Sequence, residues 1–172
     1  PSVFLLNTQY RMRASIAGFS SRYFYKELLK TAGHLENTGT HICFIDTAGS
    51  GYNEKQGPDG ISLQNEGELD VIRQVLEQEG WDTASTAFIS PYSGQVSAAR
   101  DSFQGQEKEN IIVSLVRSNE DGDIGFLKDY RRMNVAITRA KEQLLVIGDS
   151  ATIGGDKFYQ SFLEYVEEKG QY

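Results

Sequence analysis

Ile111-Ile-Val-Ser-Leu-Val116 is the stretch whose reading decides the fold. It is short, rich in β-branched residues and apolar at almost every position. A strand of that kind is buried on both faces, which is the condition of a parallel sheet covered by helices on each side. Working outward, the same reading applies to Thr86-Ala-Phe-Ile-Ser90, to Leu144-Leu-Val-Ile147 and to His41-Ile-Cys-Phe-Ile-Asp46. Helical patterns separate these runs. From Asn65 to Gly80, Leu69, Ile72, Val75 and Leu76 form one apolar stripe, and Glu66, Glu68, Asp70, Arg73 and Glu77 surround it. Asn65 suits the start of that helix and Gly80 its end. Lys128 to Lys141 and Phe158 to Glu168 read as two more helices. Leu5 to Gly33 reads as helix-rich, with Ile16, Phe19, Tyr23 and Phe24 at helical spacing and Gly33 as a stop. Thr47 to Gly60, dense in Gly, Ser, Asn and Asp, reads as an exposed loop. The expected fold is therefore α/β, a mostly parallel sheet with helices on both faces. In such sheets ligands sit beyond the carboxyl ends of the strands. Here those ends are Asp46, Ser90-Pro91, Arg117-Ser118 and Gly148-Asp149.

Composition narrows the function classes. The 172 residues suit a single domain spanning 1–172, 39% of them are hydrophobic, and a real core can be buried. No apolar run approaches the length of a membrane helix, and no basic segment leads into an apolar stretch at the start, so neither a membrane partner nor a leader is expected. One cysteine, Cys43, excludes an intrachain disulfide framework and suits a cytoplasmic, reducing compartment. Two histidines and one cysteine make a structural zinc site a poor reading, and His34 and His41 read as structural or solvated. The net charge of −7 argues against a protein that coats DNA generically, but leaves room for a narrow basic groove.

No Gly-rich phosphate loop with its Lys and Ser/Thr is present, so the primary nucleotide cradle is not in this chain. Three segments carry more polar groups than a core needs. In Gln9-Tyr10-Arg11-Met12, an aromatic beside an arginine suits base stacking and phosphate contact, or else a tyrosine packed under the first helix with a solvated arginine. In Asp101-Ser-Phe-Gln-Gly-Gln-Glu107, Gly105 permits a tight turn and Glu107 suits ribose hydroxyls, or the segment is a plain turn before a strand. In Arg131-Arg-Met-Asn-Val-Ala-Ile-Thr-Arg-Ala-Lys141, a helix would place Arg132, Ala136 and Arg139 on one face and Met133, Ile137 and Ala140 toward the core. An ordinary surface helix with a solvated basic face would tolerate this pattern, but small residues at 136 and 140 allow close approach to a sheet, which would fix the arginines in place.

In chain order the segments Gln-Tyr-Arg-Met, Ser-Pro-Tyr-Ser-Gly-Gln, Asp-Ser-Phe-Gln-Gly-Gln-Glu, Val-Arg-Ser, Ile-Gly-Phe-Leu and Arg-Arg-Met-Asn-Val-Ala-Ile-Thr-Arg-Ala-Lys resemble the C-terminal RecA-like domain of superfamily-one 5′-to-3′ helicases. The group includes the nonsense-mediated-decay RNA helicase, senataxin and the immunoglobulin-mu-binding helicase, and the resemblance covers about Leu5 to Asp149. It implies an ATP-dependent DNA or RNA helicase in which ATP lies between two RecA-like domains. The N-terminal RecA-like domain of the same protein would supply the phosphate loop and the Mg2+ ligands. This chain would supply Tyr10 on the adenine, Arg11 at the γ-phosphate, Arg139 as arginine finger and Glu107 on the ribose, with Gln9 and Gly105 completing the nucleotide side. Single-stranded DNA or RNA would be met by Ser90, Pro91, Tyr92 and Gln95, with Ser102 in the other contact segment. The isolated domain would be inactive. The alternative is a catalytically silent, helicase-like docking module for nucleic acid or protein, and a helicase domain inside a nuclease or restriction system is a third reading.

One departure stands out. The family carries a helix end, a loop and a short strand between the second and third of these segments, whereas here Ala98-Ala99-Arg100 runs straight into Asp101. A helix end plus a strand needs roughly 15–25 residues. Either the protein has a true deletion here, which would remove a core strand, or residues are missing between Arg100 and Asp101; the expectation is the second, with a spatial break there.

Overall fold

A computed structural model describes residues 7–36, 39–78, 80–100 and 109–172. The junction at Arg100–Asp101 lies at the edge of the described residues, and Ser102, Gly105 and Glu107 lie outside them. In chain order the elements are β1 (Thr8–Gln9), α1 (Ala14–Phe24), β2 (Lys30–Thr31), β3 (Ile42–Asp46), β4 (Lys55–Gln56), β5 (Leu63–Gln64), α2 (Glu66–Gln78), β6 (Thr86–Ile89), α3 (Ser93–Ala99), β7 (Asn110–Ser114), α4 (Tyr130–Ile137), β8 (Gln143–Gly148), α5 (Ser150–Ile153) and α6 (Lys157–Lys169).

The four apolar runs form one parallel sheet in the order β3-β8-β7-β6. Alternation along the strands divides the core in two. Ile111, Val113, Leu115, Leu144 and Val146 point to the face covered by α1, α4 and α6. Ile112, Leu145 and Ile147 point to the face where Leu69 and Ile72 of α2 and Ala99 of α3 pack. The first face is cemented by aromatic rings: Phe19 meets Phe158 and Phe162 edge-on, with centroids 5.4 and 5.1 Å apart, and Tyr130 stacks on Phe158 at 4.7 Å. Gly18 lets α1 approach α6 closely, because a Cβ there would overlap the Tyr165 hydroxyl, which donates to the Ser15 carbonyl at 2.7 Å. The outer edge of β3 is covered by the C-terminal tail, where Phe44 N–H donates to the Gln171 carbonyl. At the far side of the sheet β6 pairs in parallel with β7, from Thr86–Asn110 to Ile89–Val113.

Four expectations change. The first helix ends at Phe24, well before Gly33, because Lys26 and Glu27 adopt φ of 50° and 62° and turn the chain out of the helix. Leu28 and Leu29 then lead into β2, which pairs parallel with β1. The helix expected over Lys128–Lys141 is shorter: a 3-10 turn at Gly125–Lys128 precedes it, Asp129 caps it, and it ends at Ile137, so Arg139 lies beyond the helix and not on one face with Arg132. Glu68 faces the interior rather than solvent. The loop expected over Thr47–Gly60 is mostly exposed, but Thr47 is buried and Lys55–Gln56 pairs with Leu63–Gln64. No helix among the described residues is long and apolar enough to cross a membrane.

Candidate functional site

The polar segments gather at two opposite edges of the sheet. At the amino edge, Gln9 shapes the first of them. Its Oε1 accepts the Arg11 and Met12 amides at 2.9 and 2.8 Å, and its Nε2 donates to the Met12 carbonyl and Thr31 Oγ1 at 2.8 and 2.9 Å. All four hydrogen-bonding positions of the amide are thus used, three inside the turn and one to Thr31 of β2, which makes Gln9 a support for its neighbours. The turn sinks Met12 into the core and pushes Tyr10 outward. Tyr10 is 72% exposed, ruling out a ring packed under α1, and it stacks beside His34 with centroids 6.5 Å apart.

Arg11 is joined to the segment of Arg139 through the residues between. Arg13 N–H donates to the Lys141 carbonyl at 3.0 Å, and the Arg13 guanidinium pairs with Glu142 at 2.7 Å. Lys141 and Glu142 amides both donate to the Glu109 carbonyl at 2.9 Å, and His41 Nδ1 lies 2.9 Å from the Glu142 carbonyl. Three segments distant in sequence therefore converge where β7 and β8 begin. Arg11 and Arg139 are both at least partly exposed, and among the described residues neither forms an ion pair. Of the polar segments singled out in the sequence, those of Arg11 and Arg139 thus lie at the amino ends of the strands rather than at the carboxyl ends. Ala136 and Ala140 are buried as the close-approach argument required.

At the carboxyl edge, Ser90 and Pro91 are half-buried, but Tyr92 and Gln95 are 3% and 0% exposed. Neither of the latter presents its side chain to a strand passing outside. The Tyr92 hydroxyl accepts from Arg117 Nη1 at 3.4 Å and from the Phe126 amide at 3.3 Å. Gln95 exchanges bonds with the backbone of Asn65 and donates to Ser114 Oγ at 2.8 Å. Both residues support the edge from beneath.

Two acid–base clusters complete that support, and sequence reasoning missed most of their members. Arg117 pairs with Glu54 at 2.7 Å and Asp123 at 3.0 Å. Burial alone would lower the guanidinium pKa, but the bonds with Tyr92, Glu54 and Asp123 outweigh it and raise it. The Asp123 carboxyl is held below its usual range by the Gly125 amide and then by Arg117. Gly125, at φ 49°, lies against this cluster so closely that a Cβ would overlap Arg117 Nη1. The second cluster centres on Glu68, which is 0% exposed; burial pushes its carboxyl up to about 8, opposed by hydrogen bonds from Ser114 and Val116. Glu54 lies unmarked in a stretch that reads as loop. The only sequence signal for Glu68 is its position three residues after the capping Asn65, a spacing that usually returns a carboxylate to the helix start.

Among the described residues, no three His, Cys, Asp or Glu side chains come together as a metal site. The exposed Tyr10 ring and the exposed guanidinium groups of Arg11 and Arg139 have the chemistry to meet the base and phosphates of a nucleotide.

The parallel sheet and the polar edges describe a RecA-like helicase domain. The AAA domain family model matches residues 1–102 and 97–151, and the chain belongs to that family. It is similar to DNA-binding protein SMUBP-2 of Mesocricetus auratus, 35% identical over 202 positions that cover 99% of this chain and 20% of that protein. It is also similar to DNA polymerase alpha-associated DNA helicase A of Schizosaccharomyces pombe, 34% identical over 95% of this chain and 30% of that protein. An ATP-dependent helicase of Methanocaldococcus jannaschii is 29% identical over 95% of this chain and 29% of its own length. The chain thus spans between a fifth and a third of these relatives. Against SMUBP-2, 202 aligned positions draw on 99% of 172 residues, about 170, which leaves about 32 positions with no residue here.

Proposed function

We propose that this chain is the second motor unit of an ATP-dependent helicase that moves along single-stranded DNA or RNA. The observation that carries the reading is the amino-edge cluster: Arg11 and Arg139, solvent-accessible and without an ion pair among the described residues, come from distant segments fastened together through Arg13, Lys141 and Glu142, and Tyr10 beside Arg11 is exposed. Tyr10 stacks on the adenine, and Arg11 and Arg139 reach the γ-phosphate of an ATP whose phosphate loop and Mg2+ ligands belong to an N-terminal RecA-like unit. Phosphoryl transfer depends mainly on positioning and charge stabilisation, so an arginine delivered when two units close is a natural gate for turnover. Glu107, Gly105 and Ser102 keep their roles toward the ribose, the nucleotide turn and the strand. At the opposite edge, Ser90 and Pro91 meet the strand, with Tyr92 and Gln95 holding them. The names of the DNA-binding and DNA-helicase relatives support this choice of partner.

Purified chain mixed with Mg-ATP and a single-stranded oligonucleotide tests the division of labour. The expected result is strand binding without ATP turnover. Turnover at a helicase-like rate would overturn it, and absence of strand binding would favour the silent docking module.

The reading includes further residues between Arg100 and Asp101. The two stretches of the family match meet there, and the aligned positions outnumber the residues by about 32. A peptide from the native protein running through Ala99-Arg100-Asp101-Ser102 without interruption would refute it.

A further inference from the structure

Val116 is the most unusual backbone position at the end of the sheet. It is a fully buried β-branched residue at φ 72°, a region such side chains almost never enter. The Arg117 amide donates to the Leu115 carbonyl at 2.8 Å, so Val116 is the centre of a γ-turn, the strained three-residue turn whose middle residue sits near φ of about +75°. Such conformations persist only where their surroundings over-determine them.

The surroundings here are the first turn of α2. The Val116 amide donates to both carboxyl oxygens of Glu68, at 3.0 and 3.1 Å, and Asn65 Nδ2 donates to the Val116 carbonyl at 3.2 Å. Ser114, just before the turn, donates its hydroxyl to Glu68 Oε2 and accepts from Gln95. Asn65 Oδ1 accepts the Glu68 amide at 3.2 Å, so the same asparagine caps the helix and grips the turn. Glu68 does not close the usual capping box, because the Asn65 amide goes instead to Gln95 Oε1. Its carboxyl is committed to the strand end.

The direction of the turn sets the path of the chain beyond it. Arg117 swings inward to Glu54, Asp123 and Tyr92. The Ser118 amide donates to Glu54, the Asn119 amide to Thr152 Oγ1, and the Phe126 amide to the Tyr92 hydroxyl. Released from φ 72°, the chain would aim Arg117 elsewhere and unseat Tyr92, which lies next to Pro91. We infer that Glu68 is a positioning residue: it holds Val116 in the γ-turn and so fixes the Arg117–Phe126 loop and the Ser90–Pro91 edge. Its bearing on strand binding rests on the proposed function.

Backbone amide exchange on the purified chain tests the clamp without any ligand. E68L removes the acceptor, and exchange over residues 116–126 should rise roughly 10–100-fold, the consequence of losing bonds to a buried donor. The amides of β8 should keep their protection. E68Q retains an acceptor for the Val116 amide and should stay within about threefold of wild type. Glycine accepts positive φ freely, so V116G in the E68L background should recover most of the lost protection. A uniform rise that includes β8, no rise in the loop, or no recovery with V116G would each overturn the clamp. Affinity for a fluorescein-labelled oligothymidylate should follow the loop exchange across the series. If wild type binds no strand, the strand-contact reading falls while the exchange result still decides the clamp.

Discussion

Replacing Glu68 with glutamine should remove a pH dependence of stability. Burial raises this carboxyl from 4.5 to about 8, the Ser114 and Val116 bonds oppose the rise, and the charge of Asp149 adds to it. The folded state therefore binds this proton more tightly than the unfolded chain does. The resulting stabilisation is complete below pH 4.5 and is lost as pH climbs through about 8. At about 1.4 kcal/mol per pH unit, the gap between 4.5 and about 8 amounts to on the order of 5 kcal/mol. Asp46, Asp123 and Glu168 are shifted the other way, so their contributions are present above the ordinary carboxylate range and fade only in acid, outside this window. Urea unfolding of wild type and E68Q in parallel between about pH 5 and pH 8 isolates the effect. Wild type should lose about 1 kcal/mol or more per pH unit relative to E68Q. Two parallel stability curves would show that the buried carboxyl does not take up a proton on folding, and would refute the reasoning.

Two further outcomes concern the neighbouring ion cluster. Arg117→Met should cost about 3 kcal/mol, the low end for breaking a buried pair, because Glu54 keeps its bonds from Ser118 and Asn119; the urea midpoint measures it. Gly125→Ala should cost about 1–3 kcal/mol through overlap with Arg117 and Tyr92 at positive φ, and it should raise amide exchange at Phe126 before the rest of the sheet.

The sheet was legible because its strands are apolar on both faces, so their sequences need no partner to identify them. Ile111–Ser114 and Leu144–Ile147 are found where the pattern puts them, whereas Leu115 and Val116, expected to continue the strand, lie past its end with Val116 at φ 72°, and the stripe of Leu69 and Ile72 packs as expected. The end of α1 was not legible, since left-handed φ at Lys26 and Glu27 leaves no mark in residue type. The site divides in the same way. Tyr10, Arg11 and Arg139 stand out in sequence as aromatic and basic groups, and the structure buries none of the three. Tyr92 and Gln95 carry the same polar signature but face inward, because hydrogen-bonding side chains serve a buried network as readily as a ligand. By charge alone Glu68 reads as a solvated position of α2, and only the strained turn at Val116, a tertiary feature, explains why a carboxyl is buried there. The amino-edge cluster was not legible because Arg13, Lys141 and Glu109 are far apart in sequence and meet only through backbone contacts of the folded chain.

The central claim is that this chain completes an ATP site with Arg139 and Arg11. Single-turnover ATP hydrolysis by Arg139→Ala, in the protein carrying both motor units, tests it most directly. The account predicts a loss of roughly 10³–10⁵ in rate with strand affinity unchanged. Turnover at the wild-type rate would contradict it.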